Sequence, residues 1–208
     1  VKVTSASGAG VIAYDAALKG TRVWNAQSVE QIAESLEPVR RLDRGKEGIS
    51  PRGAMMQGLA VGNPFDPLRP VRILAPRNGM GTGLAVLTDL AGLQGVRGRV
   101  SELRGPGGVV LPGPGVRVRY AKQDLLHWCD ELAEDPPPGA RTVPVWVEVL
   151  VPKHQAAGWY VGNLSLDANG RSFEVPLQMF VSGYTAPDPR DFHSVMVVMH
   201  SPEAIAKT

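Results

Sequence analysis

A chain of 208 residues that is 43% hydrophobic can bury one sizeable core, so one domain is expected, with room for appendages. Twenty-two Lys and Arg against 20 Asp and Glu leave a formal charge of +2, and no dense basic cluster stands out, which argues against nucleic acid and anionic membranes as partners. No apolar run approaches the ~20 residues that span a bilayer, and the single cysteine, Cys129, rules out an internal disulfide. The chain is therefore expected to be soluble. Its 24 Gly and 18 Pro, about a fifth of the residues, fit β-structure joined by many turns. It opens at Val1 with no charged-then-apolar leader, and is read as processed or as a piece of a longer protein.

In chain order, opening strands are expected around Val11–Tyr14 and Thr21–Trp24. Ser28 then reads as a helix N-cap with Gln31 at the capping-box position, ahead of Val29, Ile32, Ala33 and Leu36 at helical spacing. From Arg40 to Pro70 charges, glycines and prolines interrupt every apolar run, so a long irregular segment laid over the core is expected. Val71–Leu74 reads as a strand, then the glycine run Gly79, Gly81, Gly83, then an apolar stretch at Leu84–Leu87. Val96–Leu103 and the alternating Val116–Tyr120 are further strands, set apart by the turns Gly105–Gly108 and Pro112–Gly115. Between Asp124 and Glu134, Leu125, Trp128, Cys129 and Leu132 share a helical face, and Pro136–Gly139 closes that segment.

The stretch from Thr142 to Val181 has the strongest pattern. Valines at 143, 145, 147, 149 and 151 alternate with the period of a half-buried strand. A second alternating run spans Tyr160–Leu166. Asn169–Gly170 supplies a turn with two positive φ angles, and Phe173, Val175, Leu177, Met179 and Val181 alternate on the way back. The reading is an antiparallel β-meander within a mainly β, antiparallel β-sandwich with short helices and long loops. Residues 1–185 form the sandwich, with 1–70 as a less regular wrapping segment. Residues 186–208 form a linker and the start of a further domain. There Val195–Met199 is an uninterrupted apolar run, as in a strand buried on both faces. Ser201, Pro202 and Glu203 then open a helix. This β-then-α start is expected to begin a second domain, of α/β type, that follows in the full-length protein.

Little chemistry is legible. The glycine run follows a strand, with Glu102 about 20 residues on, as in a dinucleotide fold. Its spacing is G-x-G-x-G rather than G-x-G-x-x-G, so turn glycines are preferred over a nucleotide site. Asp130 and Glu131 are adjacent and do not share a helix face. His127, His154, His193 and His200 are scattered, and His127 with Cys129 makes no metal set. No nucleophile elbow is present. No catalytic residue, metal site or cofactor is expected. The aromatics leave Trp24 and Trp159 as the candidates for carbohydrate stacking. Trp146 lies on the strand face opposite the valines.

Several segments together resemble the N-terminal β-sandwich found ahead of the barrel in proteins related to glycoside hydrolase family 123. They are Ala75–Gly79, Val116–Tyr120, Val145–Pro152, Ala157–Gly162, Val175–Leu177, Ala186–Phe192 and Ser201–Ala206, covering about Val71 to the end. The resemblance implies a TIM-like barrel after the sandwich and N-acetylhexosamine-containing glycans as substrates. It also implies an Asp-Glu catalytic pair within the barrel, which Asp130-Glu131 do not match. The expected role is a non-catalytic accessory domain of a secreted or periplasmic glycoside hydrolase, packed on its C-terminal barrel. An autonomous carbohydrate-binding module or a structural assembly domain are the alternatives.

Overall fold

The structure is a computed structural model, and it describes residues 18–26, 62–123 and 128–191. The expected strand at Val11–Tyr14, the helix from Ser28, most of the Arg40–Pro70 segment and the tail from Phe192 lie outside these residues. Among the described residues there are nine strands: β1 (Arg22–Asn25), β2 (Val71–Arg77), β3 (Gly79–Thr88), β4 (Arg97–Val100), β5 (Val116–Gln123), β6 (Trp128–Ala133), β7 (Thr142–Val151), β8 (Gly158–Ala168) and β9 (Arg171–Thr185). They form two sheets, one in the order β1-β3-β7-β5-β6 and the other β2-β9-β8-β4. All pairs are antiparallel except β2–β9, which is parallel. Helix among the described residues is limited to three short 3₁₀ turns. The expected mainly β sandwich is present.

The alternation in β7, β8 and β9 is what builds the core. Val143, Val145, Val147, Val149 and Val151 from one sheet meet Tyr160, Leu164, Leu166, Val175, Leu177, Met179 and Val181 from the other, all buried in one cluster. A strand with every second residue apolar can bury only one face, so two such sheets close on each other. The Thr142–Val181 stretch is nonetheless not one meander. β7 belongs to the five-stranded sheet and the β8–β9 hairpin to the four-stranded one, the chain crossing between layers through residues 152–157. Alternation marks a buried face but not the neighbouring strand, so the crossing left no signal in the pattern. The hairpin turn itself is as expected, with φ of 51° at Asn169 and 71° at Gly170.

Two further expectations are corrected. Of the expected Asp124–Glu134 helix, residues 124–127 lie outside the described residues and 128–133 form β6 instead, which pairs with β5 through Tyr120↔Ala133, Ala121↔Leu132 and Lys122↔Glu131. A helical spacing of four apolar residues is a weak preference that pairing with a sheet edge overrides. The glycine run is neither a turn nor a phosphate loop but the first half of β3. Gly81 and Gly83 face inward, where β2 crosses close by. A methyl group at Gly81 would lie 2.6 Å from Ile73 Cγ2, and one at Gly83 2.5 Å from Val71 Cγ1. Their period of two is that of one strand face.

Residues 62–70 run beside β1, over the outer side of the five-stranded sheet. Asn25 Nδ2 donates to the Arg69 carbonyl at 2.9 Å and Asn25 Oδ1 accepts from the Arg69 amide at 2.6 Å. This end of the Arg40–Pro70 segment does lie on the sandwich. The layers are also tied by Tyr120 of β5, whose hydroxyl accepts from the Gly98 amide of β4 at 2.6 Å.

Candidate functional site

Each strand turns one set of side chains to the core and the other outward, so the outward positions decide what the surface can do. On the four-stranded sheet most of them are polar, among them Arg72, Glu174, Gln178 and Asn163, but one local group is apolar. Leu74 pairs with Phe180 across β2 and β9, and Phe180 pairs with Trp159 across β9 and β8. The Trp159 and Phe180 rings stand 5.2 Å apart between centroids, tilted by 55°. Val161 follows two residues along β8, beside the ion pair of Arg104 and Glu102. Leu74 is 69% exposed, Trp159 57% and Val161 54%.

The two tryptophans singled out from the sequence therefore part company. Trp159 is open on a sheet face. Trp24 is 8% exposed, its indole N–H donates to Thr88 Oγ1 at 3.0 Å, and Gly62 lies against its ring so closely that any side chain there would clash. Trp24 has no open ring face for a sugar and is corrected to a packing residue. Leu74, Phe180 and Val161 were missed as surface residues. Their signal was present, since each is an apolar residue in the outward phase of a strand whose inward phase is already apolar. Trp146 is partly buried on the outer face of the five-stranded sheet, paired with Leu84 and Arg119, and its indole N–H has no hydrogen-bond partner among the described residues.

Polar side chains gather at two places. At one end of the sandwich Asp89, just beyond β3, is buried. Its Oδ2 accepts from Thr21 Oγ1 at 2.8 Å and from Asn169 Nδ2 at 3.0 Å, and its Oδ1 accepts from the Ala91 amide at 2.9 Å. Arg171 donates to the Thr21 carbonyl at 3.1 Å. Burial pushes the Asp89 carboxyl pKa up, but the donated hydrogen bonds and the Arg171 charge together bring it below its ordinary value. These hydrogen bonds hold three chain segments together, which is a structural role. At the other end, the chain leaving β9 is pinned. The Ala186 amide donates to the Arg77 carbonyl at 2.8 Å. Asn78 Nδ2 donates to the Ala186 carbonyl at 3.0 Å and to Asp188 Oδ1 at 2.9 Å, and Lys153 Nζ donates to Asp188 Oδ2 at 2.9 Å. The Lys153 hydrogen bond, followed by that of Asn78, lowers the Asp188 pKa. Among the described residues no group of three or more His, Cys, Asp or Glu converges as a metal site would require, and no helix is long and apolar enough to cross a membrane.

No protein-family model matches the chain, and no curated protein matches its sequence. Among solved structures it is similar to a family 123 glycoside hydrolase from Clostridium perfringens, studied for its hydrolysis of glycolipid glycans. The TM-score is 0.54 at 10% identity, over 83% of this chain and 29% of that one. The likeness is one of fold. The chain thus spans less than a third of that enzyme. Looser likenesses, to a FixG-related protein from Vibrio parahaemolyticus (TM-score 0.29, 14% identity, 50% of this chain and 80% of that one) and to the CooA pilin subunit of enterotoxigenic Escherichia coli (0.30, 11%, 54% and 91%), are too partial to argue from.

Proposed function

We propose that this chain is a non-catalytic accessory β-sandwich of a glycoside-hydrolase-like protein acting on glycans outside the cytoplasm. It packs on the catalytic barrel of the same protein and supports it. The observation that carries the reading is the fold likeness to a glycan-hydrolysing enzyme over most of this chain but a minor part of that one. It is joined by the character of the surface. The polar clusters described above are engaged in structural hydrogen bonds, while the four-stranded sheet opens an apolar row suited to contact rather than to acid–base chemistry. The experiment is an assay on N-acetylhexosamine-containing glycans with the 208-residue chain and with the protein extended past Thr208. Hydrolysis by the extended protein and none by the 208-residue chain is expected. Turnover by the 208-residue chain alone would overturn the reading.

A second reading has one observation in its favour. Trp159 presents an exposed ring, so the chain would act as a carbohydrate-binding module through it. Titration with chitooligosaccharides, followed by Trp fluorescence and compared with Trp159→Ala, separates the two.

A further inference from the structure

A sheet face open to water ordinarily carries polar side chains. The outer face of β2, β9 and β8 instead carries Leu74, Phe180 and Trp159 in one row, lying opposite one another in the strand pairing. With strands ~4.8 Å apart the row is about 10 Å wide. Val161 extends it along β8. Tyr184, 64% exposed, stands four residues further along β9, past Ser182 and the register shift that follows Val181. Together these side chains leave on the order of 300–400 Å² of apolar surface open, the size at which a patch on a monomer commonly serves an interaction. Arg72 and the Arg104–Glu102 pair edge it with charge. An apolar centre with a charged rim is the anatomy of a protein–protein contact.

We infer that this row is the surface on which the catalytic barrel of the longer protein packs, an inference that rests on the accessory-domain reading above. Two observations choose that occupant. First, β9, which supplies Phe180, is the strand that leads out of the sandwich, and Ala186 lies about 20 Å further along it. There the Asn78, Lys153 and Asp188 hydrogen bonds fix the direction in which the chain departs. Whatever follows Asp191 is thus tethered close to the row, at a high effective concentration. Second, the row suits a protein better than a sugar. Leu74 and Val161 have no ring on which a pyranose stacks, and the 55° tilt between Trp159 and Phe180 offers no flat platform. The open area is about half of the ~800 Å² that each partner gives to a standard interface, so the row forms its centre.

The test is hydroxyl-radical footprinting of the full-length protein against the 208-residue chain. Modification of Leu74, Trp159 and Tyr184 is expected to fall at least fivefold in the full-length protein, with Phe65 and Met80 as exposed references. Two variants in the full-length protein, Leu74→Glu and Trp159→Ala, are expected to restore modification of the rest of the row. In the 208-residue chain each should leave the melting temperature within ~2 °C, since both positions are exposed. Equal modification in the two proteins, when the full-length protein hydrolyses glycan, overturns the inference and leaves the accessory-domain reading standing. A full-length protein without hydrolytic activity overturns that reading instead. Protection that appears only at concentrations where light scattering gives a doubled mass assigns the row to a second copy, and protection only with added chitooligosaccharide assigns it to sugar. Either outcome overturns the inference.

Discussion

Replacing Asp89 with alanine should cost more stability than any surface change in this molecule. The carboxylate accepts three hydrogen bonds, from the Thr21 hydroxyl, the Asn169 amide and the Ala91 backbone N–H, at 2.8 to 3.0 Å. Its removal takes the acceptor from the Thr21 hydroxyl and the Ala91 N–H, while the Asn169 amide keeps Thr21 Oγ1 and the Gly92 carbonyl as acceptors. One hydrogen bond to a charged group is worth ~1.5–3 kcal/mol, and losses within one network do not add in full, so about 2–4 kcal/mol is expected in total. For a domain of this size that lowers the melting temperature by roughly 5–15 °C. Thermal and urea unfolding followed by circular dichroism measures it directly. The acid dependence is a second readout. The folded pKa of Asp89 lies below its ordinary value of 3.8. The unfolded chain therefore takes up the proton first, and this contribution is present above that value and lost as pH falls through the lower folded pKa. The gap between wild type and Asp89→Ala should be full at pH 6 and shrink below about pH 4. Asp89→Asn keeps the Ala91 bond but turns a donor toward a donor, and should fall between the two. A change under ~2 °C, or a gap that widens in acid, would refute the reasoning.

Four further outcomes follow from the geometry. Gly83→Val places a side chain against Val71 and Ile73, and should destabilise by about 1–3 kcal/mol in urea unfolding. Nucleotide should not raise the melting temperature of either protein, because these glycines pack two sheets together. Tyr160→Phe removes the hydroxyl that accepts from Gln155 Nε2 at 2.9 Å and donates to the Ala156 carbonyl at 2.8 Å. It should cost about 1–2 kcal/mol and speed amide exchange in residues 153–157. Asp188→Ala should make residues 186–191 more sensitive to limited proteolysis while leaving the melting temperature almost unchanged, since the Lys153–Asp188 pair is largely exposed. In high salt the wild type should move toward the variant.

The sandwich was legible because its core is built from period-two valines, and a half-buried strand announces its inward face whichever sheet it joins. Sheet membership was not legible. Val145 alternates in the same way whether β7 lies beside β8 or across the core from it, and only the loop of residues 152–157 decides. The helical spacing of Leu125, Trp128, Cys129 and Leu132 hides β6, because the partner that makes it a strand is β5, whose paired residues lie five to thirteen positions back. The glycine run shows the converse. Its period of two identifies a strand face, yet the reason for glycine there is the approach of Val71 and Ile73, which no local pattern contains. Of the surface, Trp159 stood out as an aromatic. Leu74 and Phe180 gained their meaning only from the register that places all three in one row.

Scanning calorimetry of the full-length protein beside the 208-residue chain tests most directly whether the sandwich supports a barrel. The account predicts that the sandwich unfolds several degrees higher in the full-length protein, and that Leu74→Glu removes most of that difference. A sandwich transition at the same temperature in both proteins, indifferent to Leu74→Glu, would contradict it.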